Sequence, residues 1–291
     1  MLDSINEFIE KAQNLKVAVI GDTITDEFLY VTYEGQSMKS ICPVFRIADK
    51  KVVQEGGAAA IANHLRDFVQ KVDLFSNEAD DIVKTRYIDV NDQKKHVEIN
   101  KFNVINKNLI KIESQNYDVV IVADFGHGVC DNMIINDGFH LMCQTNSNNF
   151  GFNRISKWKK YRKKSICIDL REASLQMNKK ATFLKKEEVE ELYNYELNTE
   201  TLFVTIGSKG SLTFNGENLE RHHSFKSEIV DTIGAGDTFY AFASLAATIY
   251  NNQVDKLLLV PSLAASLSTT WLCNEKSVTK KSLLEHANKF V

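Results

Sequence analysis

The sequence predicts an α/β protein, a doubly wound and mostly parallel sheet carrying a small antiparallel β lid. Three observations carry that prediction. Apolar runs at 17–20, 72–75, 119–123, 166–168 and 202–206 are continuous and rich in β-branched residues, as strands buried on both faces of a parallel sheet must be. Stretches with helical apolar spacing alternate with them, at the N-terminus, after Gly57, at 131–142, at 185–193 and from Gly236 onward. Two stretches break the rhythm, at about 27–53 and 84–103, and read as short alternating strands without a helix.

The elements follow in order. The first helix sets Leu2, Ile5, Phe8, Ile9 and Ala12 on one face with acids between them, which is not the basic and then apolar pattern of a signal peptide. The strand at 17–20 leads to Gly21-Asp22 and then to the first lid piece, with FLYVTY and ICPVFRIA. Gly56-Gly57 opens the small-residue helix GGAAAIANHL. KTRYIDVNDQKKHVEINKF is the second lid piece, a hairpin turning near Asn91-Asp92. The Asn-rich stretch QTNSNNFGFN (144–153) lines the crevice or is a surface loop held by Asx turns. Two uncharged runs, 238–254 and 257–273, are short for a membrane span and loaded with Ser, Thr or Asn, so they read as buried helices. No repeat or linker divides the chain, so residues 1–291 form one domain with the two lid pieces meeting in one flap.

Composition narrows the function. With 13 Gly and 2 Pro among 291 residues, the chain is neither collagen-like nor low-complexity. A net charge of −3 offers no footprint for nucleic acid. Cys42, Cys130, Cys143, Cys167 and Cys273 are odd in number and never spaced C-x-x-C, which suits buried thiols in a reducing cytoplasm better than disulfides or zinc. The histidines are dispersed without ligand spacing.

The most informative segment is DTIGAGD, Asp231 to Asp237, running directly into an apolar helix. Unpaired amides at a helix start form an anion site, and Gly234, Ala235 and Gly236 let an anion approach closely. A carboxylate beside such a site is awkward for binding alone. It makes sense if Asp237 takes the proton of a hydroxyl that attacks a phosphoryl group, although an Asp N-cap would look locally similar. In the second lid piece, Lys84 and Arg86 share one strand face, with Lys94, Lys95 and His96 returning opposite. Facing inward they would hold a fixed phosphate on a substrate; facing outward they would protect an exposed strand.

With these residues the sequence resembles the ribokinase-like (PfkB-type) carbohydrate kinases, whose hallmark is D-T-x-G-A-G-D-x-F. Further features stand in the family's order: Gly21-Asp22 with Asp26, Gly56-Gly57, LFVTIGSKG (202–210), and Glu190 in the region of the N-x-x-E magnesium motif. VADFGHGV (122–129) and the Asn-rich stretch are similar to bacterial heptose-phosphate kinases, including those fused to nucleotidyltransferases.

The resemblance implies ATP-dependent phosphorylation of a sugar or sugar phosphate, a heptose 7-phosphate-like substrate being favoured, with Mg²⁺ on the ATP phosphates and a homodimer formed through the lid. It implies Asp237 as general base and the amides of Gly234, Ala235 and Gly236 as charge stabilisers. The nucleotide would lie along Thr205, Gly207, Gly210, Asp231 and Ser262, although the first three also suit an ordinary hairpin. Sugar hydroxyls would meet Asp26, and Asp22 unless it caps the turn after Gly21. Gly56 and Gly57 would form the lid hinge, Lys84 and Arg86 the phosphate contact, and Glu187 and Glu190 the metal site. Asp124 and Asp169 end strands and read as contacts or helix caps.

Three departures stand against that pattern. Ala60 replaces an asparagine that touches sugar, with Asn63 one turn on; Glu187 replaces a neutral amide; Ser262 replaces an adenine-side asparagine. They keep a second reading in play, a nucleotide- or sugar-binding regulator on the same scaffold. A third is a nucleoside or vitamin kinase of the same superfamily.

Overall fold

The structure is a computed structural model that describes residues 1–103, 109–144, 153–183, 185–195, 197–251 and 253–291. The Asn-rich residues 145–152 lie outside the described residues. The chain begins with α1 (Leu2–Ala12), β1 (Lys16–Gly21), β2 (Thr23–Gln36), β3 (Pro43–Gly57), α2 (Ala58–Leu65) and β4 (Lys71–Phe75). There follow β5 (Ile82–Asp89), β6 (Lys95–Phe102), β7 (Ile110–Lys111), β8 (Val119–Asp124), β9 (Met133–Ile134) and β10 (Phe139–Cys143). The remainder comprises β11 (Lys163–Asp169), α3 (Leu170–Gln176), α4 (Lys186–Asn194), β12 (Thr199–Thr205), β13 (Ser211–Phe214), β14 (Leu219–His222), α5 (Ala235–Tyr250), α6 (Leu259–Ser268) and α7 (Lys280–Ala287).

The central sheet has the order β14-β13-β12-β11-β10-β8-β1-β4. From β4 to β12 every neighbouring pair is parallel, and β13 and β14 close one edge as an antiparallel hairpin. The β-branched runs are buried on both sides because helices cover both faces. In β1, Val17 and Val19 join the core under α1, α2, α5, α6 and α7, while Ala18 and Ile20 join the core under α3 and α4. The two uncharged runs are α5 and α6, both largely buried. Among the described residues no helix is long and apolar enough to cross a membrane.

One expected helix is absent. Residues 131–142 form the two-residue strand β9 and most of the central strand β10 instead. Gly138, at φ +92°, breaks helical continuation, and Phe139–Cys143 are all buried, filling the slot between β8 and β11. Backbone pairing on both sides outweighs the local apolar periodicity there. The lid also departs from a purely antiparallel flap. Its order is β3-β2-β5-β6, two antiparallel hairpins joined by a parallel seam between β2 and β5. The chain passes through α2 and β4 between the hairpins, so it re-enters the lid running the same way.

The strand order reverses between β1 and β8, because β4 lies on one side of β1 and β8 on the other. In open α/β sheets ligands bind at that reversal, beyond the carboxyl ends of the strands. The lid is rooted at the same point: Thr23 pairs with Gly57, and the Asp22 carbonyl accepts the Ala58 amide at 3.0 Å, starting α2. Gly57 is required there. Its φ is +61°, and a Cβ would lie 2.3 Å from the Asp22 carbonyl oxygen. Gly57→Ala is therefore expected to lower folding stability by at least about 2 kcal/mol in urea denaturation; an unchanged midpoint would contradict this packing.

Candidate active site

At the sheet reversal the Asp22 carboxylate is fully buried. It accepts the backbone amides of Phe125 (2.9 Å), His127 (3.2 Å) and Val129 (3.0 Å). Burial, helped by nearby Asp124, raises its carboxyl to about 6. Asp22 thus clamps the loop after β8 with both carboxylate oxygens engaged by backbone amides, a structural role in place of the expected sugar contact or cap after Gly21. Asp124 is also structural: its carboxylate accepts Trp158 Nε1 at 2.8 Å, Lys157 Nζ at 2.6 Å and Asn153 Nδ2 at 3.1 Å. Asp169 is a helix cap, forming a capping box with Glu172 at the start of α3.

The lid presents its buried face to this region. Alternation in β5 buries Ile82, Lys84, Arg86 and Ile88, so Lys84 and Arg86 face inward as one reading required. Asp26 stands beside them in β2, in register with Lys84 and Gln54. Arg86 forms an ion pair with Asp26 through Nη1, and its Nε donates to Glu98 at 2.8 Å. The guanidinium is therefore engaged by two carboxylates of the lid itself. Lys84 differs. It is 8% exposed, and no hydrogen bond or ion pair joins its ammonium to a described residue. Burial lowers its pKa, while Asp26, Glu98 and Asp237 oppose the shift. The expected cationic cluster does not assemble beyond these two: Lys94 and His96 pair with Asp92 at the turn, and Lys95 Nζ donates to Asp231 at 2.7 Å.

Opposite the lid, α5 begins at Gly234, whose φ is +84° and where a Cβ would strike Asn274 Oδ1 at 2.6 Å. The amides of Gly236 and Asp237 lie in the first turn, where the helix has no acceptor for them. The Ala235 amide is less free, contacting the Thr232 carbonyl at 3.3 Å. Asp237 is partly buried. Its carboxyl is raised to about 7, first by desolvation and then by the Asp26 carboxylate, with Lys84 opposing. Two carboxylates and one ammonium thus converge across the cleft. Thr238 anchors the helix start: its Oγ1 lies 3.0 Å from His64 Nε2, and His64 Nδ1 accepts the Val278 amide. Burial drops that imidazole to about 4, so it is a neutral strut at physiological pH.

Thr205, Gly207, Gly210 and Ser262 gather at the end of β12. Thr205 pairs with Ser211 across a turn in which Gly207 (φ +56°) and Gly210 (φ +98°) need left-handed backbone. Ser211 Oγ lies 3.0 Å from Ser262 Oγ, bringing α6 to the same edge. Gly210 is packed against the chain leaving β14, where a Cβ would lie 2.0 Å from the His222 carbonyl oxygen, whereas Gly207 faces open space. Asp231 is not free for a nucleotide, because its carboxylate also accepts the amides of Ile233 and Cys273. Glu187 and Glu190 do not form a metal site. Glu187 is exposed, Glu190 pairs with Lys186 at 3.3 Å, and Lys186 reaches the Glu217 carbonyl on the turn between β13 and β14, at the opposite end of the strands from Thr205. Among the described residues no three acidic, His or Cys side chains could hold a metal ion.

Several site residues escape sequence reasoning. Gln54, Cys273 and Asn274 join lid to body only through the fold, and nothing in their local sequence marks them. His127 had a signal, lying between two glycines in VADFGHGV; its ring stacks on Phe102 of the lid at 4.9 Å. Asn63 does not replace the amide missing at Ala60, since it is bonded to Glu55 and Arg66.

Comparison with known proteins bears on the fold and the sequence pattern. Residues 165–272 match the model of the pfkB family carbohydrate kinases. A segment of 38 residues is 50% identical to a ribokinase from Lactococcus lactis, and it spans 13% of that protein's length. Among solved structures, a ribokinase from Thermotoga maritima superposes with a TM-score of 0.67 at 16% identity, over 94% of this chain and 99% of that one. An Arabidopsis thaliana ribokinase complexed with ribose and ATP gives 0.64 at 16% identity, over 94% and 99%. A mutant phosphofructokinase-2 from Escherichia coli gives 0.63 at 12% identity, over 96% and 100%. The chain has the ribokinase-like fold, and its residues 165–272 carry the pattern of the pfkB family carbohydrate kinases.

Proposed function

We propose that the protein is an ATP-dependent carbohydrate kinase that phosphorylates a hydroxyl of a sugar phosphate, of the heptose 7-phosphate type. The observation that carries this reading is the Asp237 carboxyl, raised to about 7 beside unpaired helix amides and across from Asp26 and Lys84. A base poised near neutrality suits removal of a proton from an attacking hydroxyl. As the sugar oxygen bonds to the γ-phosphorus, Asp237 takes the hydroxyl proton and the bond to the ADP oxygen breaks. The amides of Gly236 and Asp237 face the charge spread over the transferring group. The Thr205–Ser211 edge and Ser262 support the nucleotide. Mg²⁺ would accompany the ATP phosphates; Glu187 and Glu190 do not fit as its ligands, and no step here depends on it.

Support for a phosphorylated substrate rests on Lys84, an inward ammonium with no contact partner among the described residues. A phosphate at that position would gain a charge-assisted bond that a neutral sugar forgoes. The sensible assay is ADP release with Mg-ATP and a panel of pentoses, hexoses, heptoses and their phosphates. The phosphates should be used at least about tenfold more efficiently, and Lys84→Met should erase that preference. Arg86→Ala should instead destabilise the fold by about 3 kcal/mol, since it leaves Asp26 buried and unpaired. Preference for neutral sugars would overturn the substrate class. ATP binding without any turnover would favour the regulator reading.

The base makes a sharper prediction. Asp237→Asn should retain ATP binding and lose about two to four decades of turnover. In the wild type, kcat should fall about tenfold per pH unit below about 7, where the carboxyl is protonated. The stability sign is opposite: carboxyls raised in the fold, Asp22 and Asp237, bind protons that the unfolded chain has released above about pH 4. Stability should therefore decline as pH rises from about 4 to 7. A flat profile for both quantities would remove Asp237 from the role.

The dimer is part of the same proposal. The outer lid face exposes Ile47, Val53 and Ile99, each more than half accessible, with Met38 and Ile41 bare at the hairpin tip. Such a patch favours pairing with a second lid. Sedimentation should find a dimer at micromolar concentration and a monomer for Ile47→Lys/Ile99→Lys; a monomeric wild type would refute it.

A further inference from the structure

The lid meets the body at two adjacent turns, and the charged contact between them lies next to the residues that would do the chemistry. Lys95, on β6, reaches Asp231 with Nζ to Oδ2 at 2.7 Å. The same Oδ2 accepts the Cys273 amide at 3.1 Å, and Oδ1 accepts the Ile233 amide at 3.2 Å. One carboxylate thus ties together a lid strand, the turn that presents Gly234 to Asp237, and the loop after α6. Gln54, on β3, makes a second tie to that loop: its Nε2 donates to the Leu272 carbonyl at 3.2 Å, and its Oε1 accepts the Asn274 amide at 2.8 Å. Between the two ties, Phe28, Tyr30, Ile88 and Cys273 form a small buried cluster against Ile233 and Leu272. The Lys95 ammonium also lies 5.8 Å from the centre of the Phe28 ring, which limits where it can rest.

We propose that Lys95 is a positioning residue: its bond to Asp231 fixes the turn that aims Asp237 and the first-turn amides at the reacting groups. The inference rests on the kinase reading for its catalytic consequence, but not for its structural one. Asp231 alone can shape the turn through Ile233, yet its second oxygen is shared between lid and loop. Removing Lys95 leaves that oxygen with only the Cys273 amide and frees the turn from the lid. The Gln54 tie and the apolar cluster still hold the lid near the body, so the effect falls on alignment more than on capture of ligand.

The test is hydrogen–deuterium exchange on the whole chain, free and with Mg-ATP, for wild type, Lys95→Met, Lys95→Arg, Asp231→Asn and the double variant Lys95→Met/Asp231→Asn. Lys95→Met should speed exchange by about tenfold both in the β6 segment and in residues 231–237, and Lys95→Arg should restore most of the protection. The double variant should loosen the turn no more than Asp231→Asn alone, because both changes break one interaction. Loosening of β6 with 231–237 unchanged, or full additivity, would overturn the proposal. On whichever sugar phosphate the wild type uses, Lys95→Met should lower kcat about tenfold with KM for ATP within about twofold. A rise in KM alone would also overturn it. Should the wild type turn over no sugar, the kinase reading fails and the exchange data alone judge the strut.

Discussion

The arrangement depends on one constraint, the partial withdrawal of the Asp237 carboxyl from water at the start of an almost wholly apolar helix. Desolvation raises its pKa to about 7, and Asp26 across the cleft adds to the shift. The rest of the fold can be read as what holds that carboxyl in place. α5 is buried along its length, with Phe242 packed edge-on against Phe68 and the helix start tied through Thr238 and His64 to the chain before α7. Gly234 supplies the left-handed entry at φ +84°, with the Asn274 side-chain oxygen lying 2.6 Å from where a Cβ would stand.

The lid completes the electrostatics. Asp26 raises the Asp237 carboxyl yet is itself neutralised by Arg86, while Lys84 remains uncommitted between the two acids. That division of labour differs from a simple pair of cations waiting for phosphate. Arg86 is committed to the lid, and Lys84 has no hydrogen bond or ion pair with a described residue. The same economy holds at the sheet reversal, where Asp22 and Asp124, both buried, each gather several donors and fasten the loops around the cleft.

Much of this was legible in the sequence, for physical reasons that differ by element. Strands buried on both faces announce themselves as unbroken β-branched runs, so β1, β4, β8, β11 and β12 were found. DTIGAGD ahead of an apolar helix marks the start of α5, because the left-handed entry at Gly234 demands a glycine. β10 reads as helix, since FHLMC within IINDGFHLMC carries no alternation and its identity is decided by two neighbours distant in the chain. The parallel seam between β2 and β5 is a property of the path through α2 and β4, which no local pattern records. Asp22, Asp231 and Arg86 were assigned to ligands because their types suit ligands; their protein partners, Phe125 to Val129, Lys95 and Glu98, are visible only in three dimensions. Glu187 and Glu190 were placed by motif order, and the fold sets them elsewhere.

The central claim is that a carboxyl at this helix start titrates near neutrality. The most direct measurement is a carboxyl carbon NMR titration of the aspartate-labelled protein, with the Asp237→Asn variant used to assign the resonance. The account predicts a midpoint near 7 for Asp237, about three units above an ordinary aspartate. A midpoint near 4 would mean that the carboxyl is well solvated, and would contradict both its confinement and its proposed task.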